Sequence, residues 1–433
     1  ILALLDEQRA AAGATPPRVA LAAPTGKAAA RLEEAVHHEA PGLDVGAQTR
    51  ARLLTLGGST LHRLLGRRPD SRSRFRRHRG NRLPHDVVVV DETSMVSLSL
   101  MAKLVEAVGN SARLILVGDP YQLASVEAGA VLGDVVGPAV DGLRMRPATR
   151  AALAEATGQD VPAADPPDGA AVGDGIVVLR RVHRFGGGIA ALARAVRRGE
   201  AEAAVDLLGA GLDDVRWIDV DVADRQATSA LAPVRDAVVD AGRRVAEAAR
   251  AGDARAALEG LAALRVLCAH RRGPYGVAAW TAQVEAWLSA AIADYGVGGR
   301  WYPGRPLLVT ENDHGLRLYN GDTGVVVAGQ QGRLRAVFER RGALLEVSPT
   351  RLEAVDTVHA MTVHKSQGSQ FRAVAVLLPA ATSPILTREL LYTAVTRAQT
   401  QLTLVGTEAS VRAAIYRPIA RASGLSDRLW GPP

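Results

Sequence analysis

One cysteine, Cys268, stands in the whole 433-residue chain. No disulfide can form within it, and this scarcity points to a reducing, cytoplasmic setting. Long apolar runs are missing too, so no segment is expected to span a bilayer. Residue 1 is Ile rather than Met, and no signal-peptide pattern follows it. The chain is therefore expected to be cut from something longer. Lysine is nearly absent: Lys27, Lys103 and Lys365 are the only three among 52 basic residues. None has Glu two positions before it, so the Glu-x-Lys pattern of the common metal-nuclease core is not there. A Walker A phosphate loop, Gly-x-x-x-x-Gly-Lys-Ser/Thr, is lacking as well. Gly26-Lys27 is the only Gly-Lys pair, but Leu21 stands five before Gly26 and Ala28 follows Lys27.

What is present is arginine, with a net charge of +7 and a pI near 9.9. That balance favours a polyanionic partner only weakly. An arginine excess reads as the mark of a GC-rich genome, so a lysine kept against it is more informative. Lys27 and Lys365 lie in motif-like stretches, and Lys103 lies on an ordinary amphipathic helix. The length predicts about two to four domains.

Val87-Val88-Val89-Val90-Asp91-Glu92 is the centre of the pattern. Four β-branched residues predict a short strand buried on both faces, as in a parallel sheet. Two carboxylates then stand at its carboxyl end, the edge where open α/β sheets bind ligands. Paired acids there can divide two tasks. Asp91 would hold Mg²⁺ through water, and Glu92 would polarise the water that attacks a γ-phosphate. The next predicted strand, Arg113–Val117, ends in Gly118-Asp119-Pro120-Tyr121-Gln122. Gln122 at that tip suits sensing of a γ-phosphate and orientation of the attacking water.

Upstream, strand Arg18–Ala22 runs into the turn Pro24-Thr25-Gly26-Lys27 and a helix over 28–38. Ser59–Gly66 reads as a capped helix start in which Thr60 and His62 are candidate phosphate donors. Arg67–Arg82, dense in Arg, reads as a surface excursion with a small hairpin. Downstream, 137–175 is rich in Pro, Gly, Ala and Asp and marks a domain boundary. Ile176–Arg180 is predicted as a strand, followed by Arg184. The segment 205–263 reads as mostly helical, and Leu264–Cys268 as a buried strand. Short strands at 307–310, 324–329, 333–339 and 343–347 predict a small barrel, with Asn312 at a strand end. Thr362-Val363-His364-Lys365-Ser366-Gln367-Gly368-Ser369-Gln370 gathers phosphate-binding donors around a glycine. Leu390–Ala398 reads as a helix that delivers Arg397.

In this order, the stretches at 23–27, 91–92, 118–123, 184, 362–370 and 390–398 resemble motifs Ia and II to VI of superfamily 1 helicases. The stretches Gly118–Asp134, Arg272–Val277 and Asn320–Gly324 are similar to those of the RecD family, the alpha subunits of exodeoxyribonuclease V. The resemblance implies an α/β fold with two RecA-like parallel-sheet domains and a small inserted SH3-like β-barrel. Domain one would span 1–140, with a small basic insertion at about 63–84, and 141–175 would be a linker. Domain two would span 176–300 and 357–433, with the barrel at 301–356. It also implies a 5′→3′ DNA helicase motor using ATP and Mg²⁺, acting on single-stranded DNA and double-stranded DNA ends in recombinational repair, with RecB and RecC as partners. Asp91, Glu92, Gln122, Arg184 and Arg397 would be catalytic, with Gly368 and Gln370 beside the nucleotide. Pro24, Thr25, Gly26, Lys27, Thr60, His62, Asn312, Thr362, His364 and Lys365 would touch DNA. Gln370 departs from the Glu usual in the family. The family's Walker A loop would precede residue 1, so the chain as given is expected to hydrolyse ATP negligibly. The competing expectation is a non-catalytic single-stranded-DNA-binding or scaffold protein with a degenerate helicase core.

Overall fold

The computed structural model describes all residues except 69–73, 126–128, 167–170, 180–184, 314, 341, 420–423 and 432–433. The chain divides into two compact units, Ile1–Arg181 with Ala420–Pro433, and Val182–Ile419. The stretch expected as a linker carries helix Pro147–Thr157 and an Arg146–Asp174 ion pair, and it falls within the first unit. The C-terminal helix Leu425–Trp430, expected with the second domain, also falls there, where Trp430 Nε1 donates to the Val135 carbonyl at 3.2 Å.

The first unit is built on β1 (Val19–Ala23), β2 (Gly58–Thr60), β3 (Val87–Val90) and β4 (Arg113–Leu116). Their order is β2-β1-β3-β4, and every pairing is parallel. As the β-branched run predicts, β3 is buried on both faces. Val88 and Val90 pack with Leu61 and Leu104, while Val87 and Val89 pack with Leu21 and, on the other side, Leu32 and Val36. Strand β2 lies where only a helix was expected. Its first residue has to be glycine, because a Cβ there would sit 2.2 Å from the Ala29 carbonyl oxygen. That close approach lets buried Glu33 accept the Gly58 amide at 3.0 Å. Helix Leu61–Leu64 follows, with Thr60 as its N-cap. The arginine-rich excursion is tied down by antiparallel bridges Arg67–Phe75 and His78–Asn81, and Phe75 packs on the core beneath.

Helix Leu2–Ala11 is anchored by a buried acid. Asp6 accepts the Thr49 hydroxyl at 2.6 Å and Arg52 Nε at 2.9 Å, and the Arg52 bond holds its carboxyl below the usual carboxylate range. A depressed folded-state pKa gives stability that is present above the unfolded value of ~3.9 and lost as pH falls below it. Asp6→Ala should therefore cost about 1–3 kcal/mol at pH 7, because the buried Thr49 hydroxyl loses its acceptor. The difference from the parent should narrow at ~pH 3, which urea unfolding at the two pH values checks.

The second unit holds β5 (Val215–Ile218), β6 (Leu264–Cys268), β7 (Pro306–Val309), β8 (Thr323–Ala328), β9 (Leu334–Arg340), β10 (Ala343–Val347), β11 (Val355–Thr357), β12 (Ala360–Thr362), β13 (Phe371–Leu377) and β14 (Ala398–Val405). One sheet has the order β12-β6-β13-β14-β5 and is all parallel. Helices Ala232–Arg250 and Val277–Ala291 cover one face through Val238, Trp280 and Leu288. Burial pushes the Cys268 thiol up to about 12, so it is inert at neutral pH. The expected strand Ile176–Arg180 is not formed over 176–179. Ile176 packs instead against Ala139 and Trp430 in the first unit, leaving Val177 and Leu179 exposed.

The inserted segment is an antiparallel sheet of order β10-β9-β8-β7-β11. Among the described residues β10 and β11 do not pair with each other, so no hydrogen-bonded closure into a barrel is seen. The strands still share one core, to which Val347 and Val355 both contribute. The opposite face, Val325, Val327 and Val337, packs on Val245 and Ala249 of helix Ala232–Arg250 and on Ala257 of helix Ala254–Ala263. No described helix is long and apolar enough to cross a membrane.

Candidate nucleotide and nucleic-acid sites

In the first unit, the parallel strands bring four expected stretches to one carboxyl edge. Ala23 pairs with Thr60, Ala22 with Val90, and Val90 with Leu116. Pro24–Lys27, Thr60 with His62, Asp91 with Glu92, and Asp119 with Gln122 therefore all leave the sheet on the same side. The Asp91 amide donates to the Ala22 carbonyl at 2.9 Å, and its Oδ1 accepts the Glu92 amide at 2.7 Å.

Glu92 is left-handed, with φ 49° and ψ 41°. That conformation costs a residue with a Cβ roughly 1–2 kcal/mol. It persists because the following turn is fastened. Thr93 donates its hydroxyl to the Val90 carbonyl at 3.0 Å and its amide to the Val117 carbonyl at 2.9 Å. Gly118 makes the fit possible, since a Cβ there would lie 3.0 Å from the Thr93 nitrogen. The chain beyond β3 is thus locked to the chain beyond β4.

Gln122 is held by Asp119, a residue the sequence displays without showing its role. Asp119 accepts the Tyr121 amide at 3.0 Å and Gln122 Nε2 at 3.3 Å. A carboxylate only accepts, so it fixes which amide atom faces it. Gln122 Oε1 is then buried with no partner among the described residues. The available signal was the short spacing typical of an Asx turn.

Among the described residues no three His, Cys, Asp or Glu side chains form an all-protein metal cage.

In the second unit, Thr362 pairs with Cys268 at the carboxyl end of the sheet, whereas Phe371 pairs with Ala398 at the amino end. The intervening loop separates the candidates. His364 and Lys365 form a short turn beside Thr362, which accepts the Lys365 amide at 3.2 Å. Gly368, at φ 66°, bends the chain towards Gln370. Gln370 Oε1 accepts Gln399 Nε2 at 3.3 Å, next to Arg397. Arg397 is 3% exposed and donates Nη1 to the Ser369 carbonyl at 3.0 Å and Nε to the Thr393 carbonyl at 3.1 Å. It fastens helix Arg388–Val395 to the loop ahead of β13, a contact the sequence pattern did not reveal. Arg184 lies outside the described residues.

Thr25, Thr60 and Thr362 share one device. Each side chain accepts a backbone amide three residues on, at 3.2 Å. A hydroxyl that accepts in this way keeps its own O–H as a donor, as a phosphate contact requires. Asn312 lies between β7 and β8, where its Oδ1 accepts the Asn320 amide at 2.9 Å and shapes the turn.

Two family models match the chain, an AAA domain at residues 1–128 and a UvrD-like helicase C-terminal domain at residues 357–405. The RecBCD enzyme subunit RecD of Mycolicibacterium smegmatis is 52% identical over 429 residues, covering 99% of this chain and 69% of that protein. The subunit of the same name from Haemophilus influenzae is 34% identical, over 95% of this chain and 65% of that protein. The ATP-dependent RecD2 DNA helicase of Deinococcus radiodurans is 30% identical, over 95% of this chain and 46% of that protein. Identity of 52% over 99% of this chain and 69% of the Mycolicibacterium protein shows the family: the chain belongs to the RecD family.

Proposed function

We propose that these residues are the motor core of an ATP-driven 5′→3′ DNA helicase that works as the RecD subunit beside RecB and RecC. The observation that carries this reading is the meeting of Asp91, strained Glu92 and Gln122 on one parallel-sheet edge. ATP is the substrate: water attacks its γ-phosphorus, the β–γ bridging P–O bond breaks and ADP leaves. Asp91 would hold Mg²⁺ through water, and the ion would supply positive charge beside the phosphates. Glu92 accepts a proton from the attacking water, and Gln122 Oε1 accepts its second hydrogen while Asp119 keeps the amide turned that way. Arg397 and Arg184 stabilise charge on the transferred group, and Gly368 and Gln370 border the nucleotide.

The 433 residues hold no Walker A sequence, and a γ-phosphate needs that loop's amides and lysine as well. Single-stranded-DNA-stimulated ATP turnover should be at least 100-fold lower for these residues alone than for a chain extended upstream through a Walker A segment. Equal turnover by the two would sink the half-site reading. Background turnover by the extended chain would sink the motor reading.

DNA would run along Pro24–Lys27, Thr60, His62, Asn312, Thr362, His364 and Lys365. Single-stranded DNA affinity should fall steeply with salt, and Lys27→Ala or Lys365→Ala should each flatten the log–log slope by about 0.7. Fluorescence anisotropy between low and moderate salt measures this. An unchanged slope in both variants removes the two lysines from the track.

A further inference from the structure

Between β6 and helix Val277–Ala291 the chain makes a turn, residues 269–276, that neither proposed site uses. The turn leaves the carboxyl edge of the second parallel sheet beside the loop proposed to touch DNA. Cys268 pairs with Thr362, and the Val363 amide donates to the Cys268 carbonyl at 3.0 Å. Neighbouring strands lie ~4.8 Å apart, so the two chains emerge side by side. Arg271 stands three residues beyond Cys268, as Lys365 stands three beyond Thr362.

The glycines set the path of this turn. Gly273 has φ 81°, in the left-handed region. Gly276 folds back so closely that a Cβ there would lie 2.5 Å from the Arg272 carbonyl oxygen. The Val277 and Ala278 amides donate to the His270 and Arg271 carbonyls at 3.0 and 3.2 Å. Three side chains then fasten the turn to its surroundings. His270 Nε2 lies 3.0 Å from the Ser383 hydroxyl. Buried Trp280 donates Nε1 to the Pro274 carbonyl at 3.0 Å. The Tyr275 hydroxyl donates to Asp221 Oδ1 at 2.8 Å, beyond the end of β5.

On this fastened backbone Arg271 and Arg272 are exposed. Among the described residues neither guanidinium has a hydrogen bond, an ion pair or a ring contact. Asp221, the acid that the turn touches, is bonded to the Tyr275 hydroxyl and to the Ala223 amide at 2.8 Å. Two adjacent cations held on one turn repel each other, and a row of anions relieves that repulsion. The neighbours on the edge favour phosphates over the carboxylates of an acidic protein. Thr362 and Lys365 add a hydroxyl and an ammonium, and arginine, lysine and threonine together are the usual donors to a nucleic-acid backbone.

We propose that Arg271 and Arg272 contact successive phosphates of single-stranded DNA and carry its track past Lys365, an assignment that rests on the reading of Thr362–Lys365 as a DNA contact. The probe is a fluorescein-labelled oligo(dT) strand, bound by the 433-residue chain and followed by anisotropy from low to moderate salt. Arg271→Gln with Arg272→Gln should weaken binding at least tenfold at low salt and flatten the log–log slope by about 1.4, the worth of two contacts. Arg271→Lys with Arg272→Lys keeps both charges and should keep the parental slope. Arg216→Gln with Arg244→Gln removes two other exposed arginines of the same unit and should also leave the slope parental. A change below about 0.7 in the first pair, less than one contact, would overturn the assignment. So would an equal change in the lysine pair or in the pair at Arg216 and Arg244. Lys365→Ala separates this assignment from the reading beneath it. If it flattens the slope and the glutamine pair does not, the turn lies off a track that still stands. If neither flattens it, the track falls with the turn. Every replaced side chain is exposed, so circular dichroism should match the parent throughout.

Discussion

Replacing Arg397 with Lys should lower single-stranded-DNA-stimulated ATP turnover by about 10³–10⁵-fold in a chain extended through a Walker A segment, with the KM for ATP changed far less. The reasoning starts from geometry. The guanidinium presents its donors in a rigid fork, and two of them reach the Ser369 and Thr393 carbonyls at once. A lysine ammonium is a single point charge and cannot hold both at that angle. The fork therefore sets where the positive charge stands relative to Gly368 and Gln370, the proposed nucleotide border. A charge set in place before the reaction acts mainly on the transition state, so its loss falls on kcat. A fastening role alone would look different. It would lower the unfolding midpoint, DNA affinity and kcat together, each modestly. Such a uniform, small loss would withdraw the arginine finger from the mechanism.

The parallel sheets were legible because their central strands carry an unambiguous pattern. Val87–Val90 is an unbroken β-branched run and Leu264–Cys268 is apolar but for Arg265, and both are buried strands inside their sheets. The antiparallel sheet was legible from its short apolar runs, which fall within a residue of β7, β8, β9 and β10. What stayed hidden lay at the edges. Gly58–Thr60 and Val215–Ile218 are short edge strands, and Gly58 is a residue that strands disfavour. Ile176–Leu179 shows the opposite failure. Its composition suits a strand, yet Ile176 finds its burial against Trp430, 254 residues further on. Local propensity yields to such contacts because it is worth only a fraction of a side chain's burial.

The candidate sites divide in the same way. Residue types that carry chemistry were visible as a pattern: the paired acids, the Gln, the Thr-x-His-Lys loop and the terminal Arg. The residues that aim them were not. Asp119 turns the Gln122 amide, Ser369 supplies a carbonyl to Arg397, and Glu33 ties β2 to helix Gly26–Glu39, which begins at Gly26-Lys27 rather than after them. The Ser369 and Glu33 bonds join partners that the fold, not local spacing, brings together, whereas Asp119 acts on a neighbour three residues on.

Glu92→Gln should lower kcat by about 10²–10⁴-fold in the Walker-A-bearing chain, the usual contribution of a positioned general base. The amide keeps the shape of the side chain but cannot take a proton from water. The backbone supplies an independent check on the same residue. Its φ of 49° is strained for any side chain with a Cβ and unstrained for glycine. Glu92→Gly should therefore be as inactive as Glu92→Gln yet more stable than the parent by about 1 kcal/mol, read from urea unfolding. Gain of stability with loss of turnover is the signature of strain kept for function. If Glu92→Gly unfolds more easily than the parent, the left-handed turn is holding the fold together, and the strain argument for Glu92 fails. If Glu92→Gln turns over ATP at the parental rate, the proton goes elsewhere and the paired acids lose their division of labour.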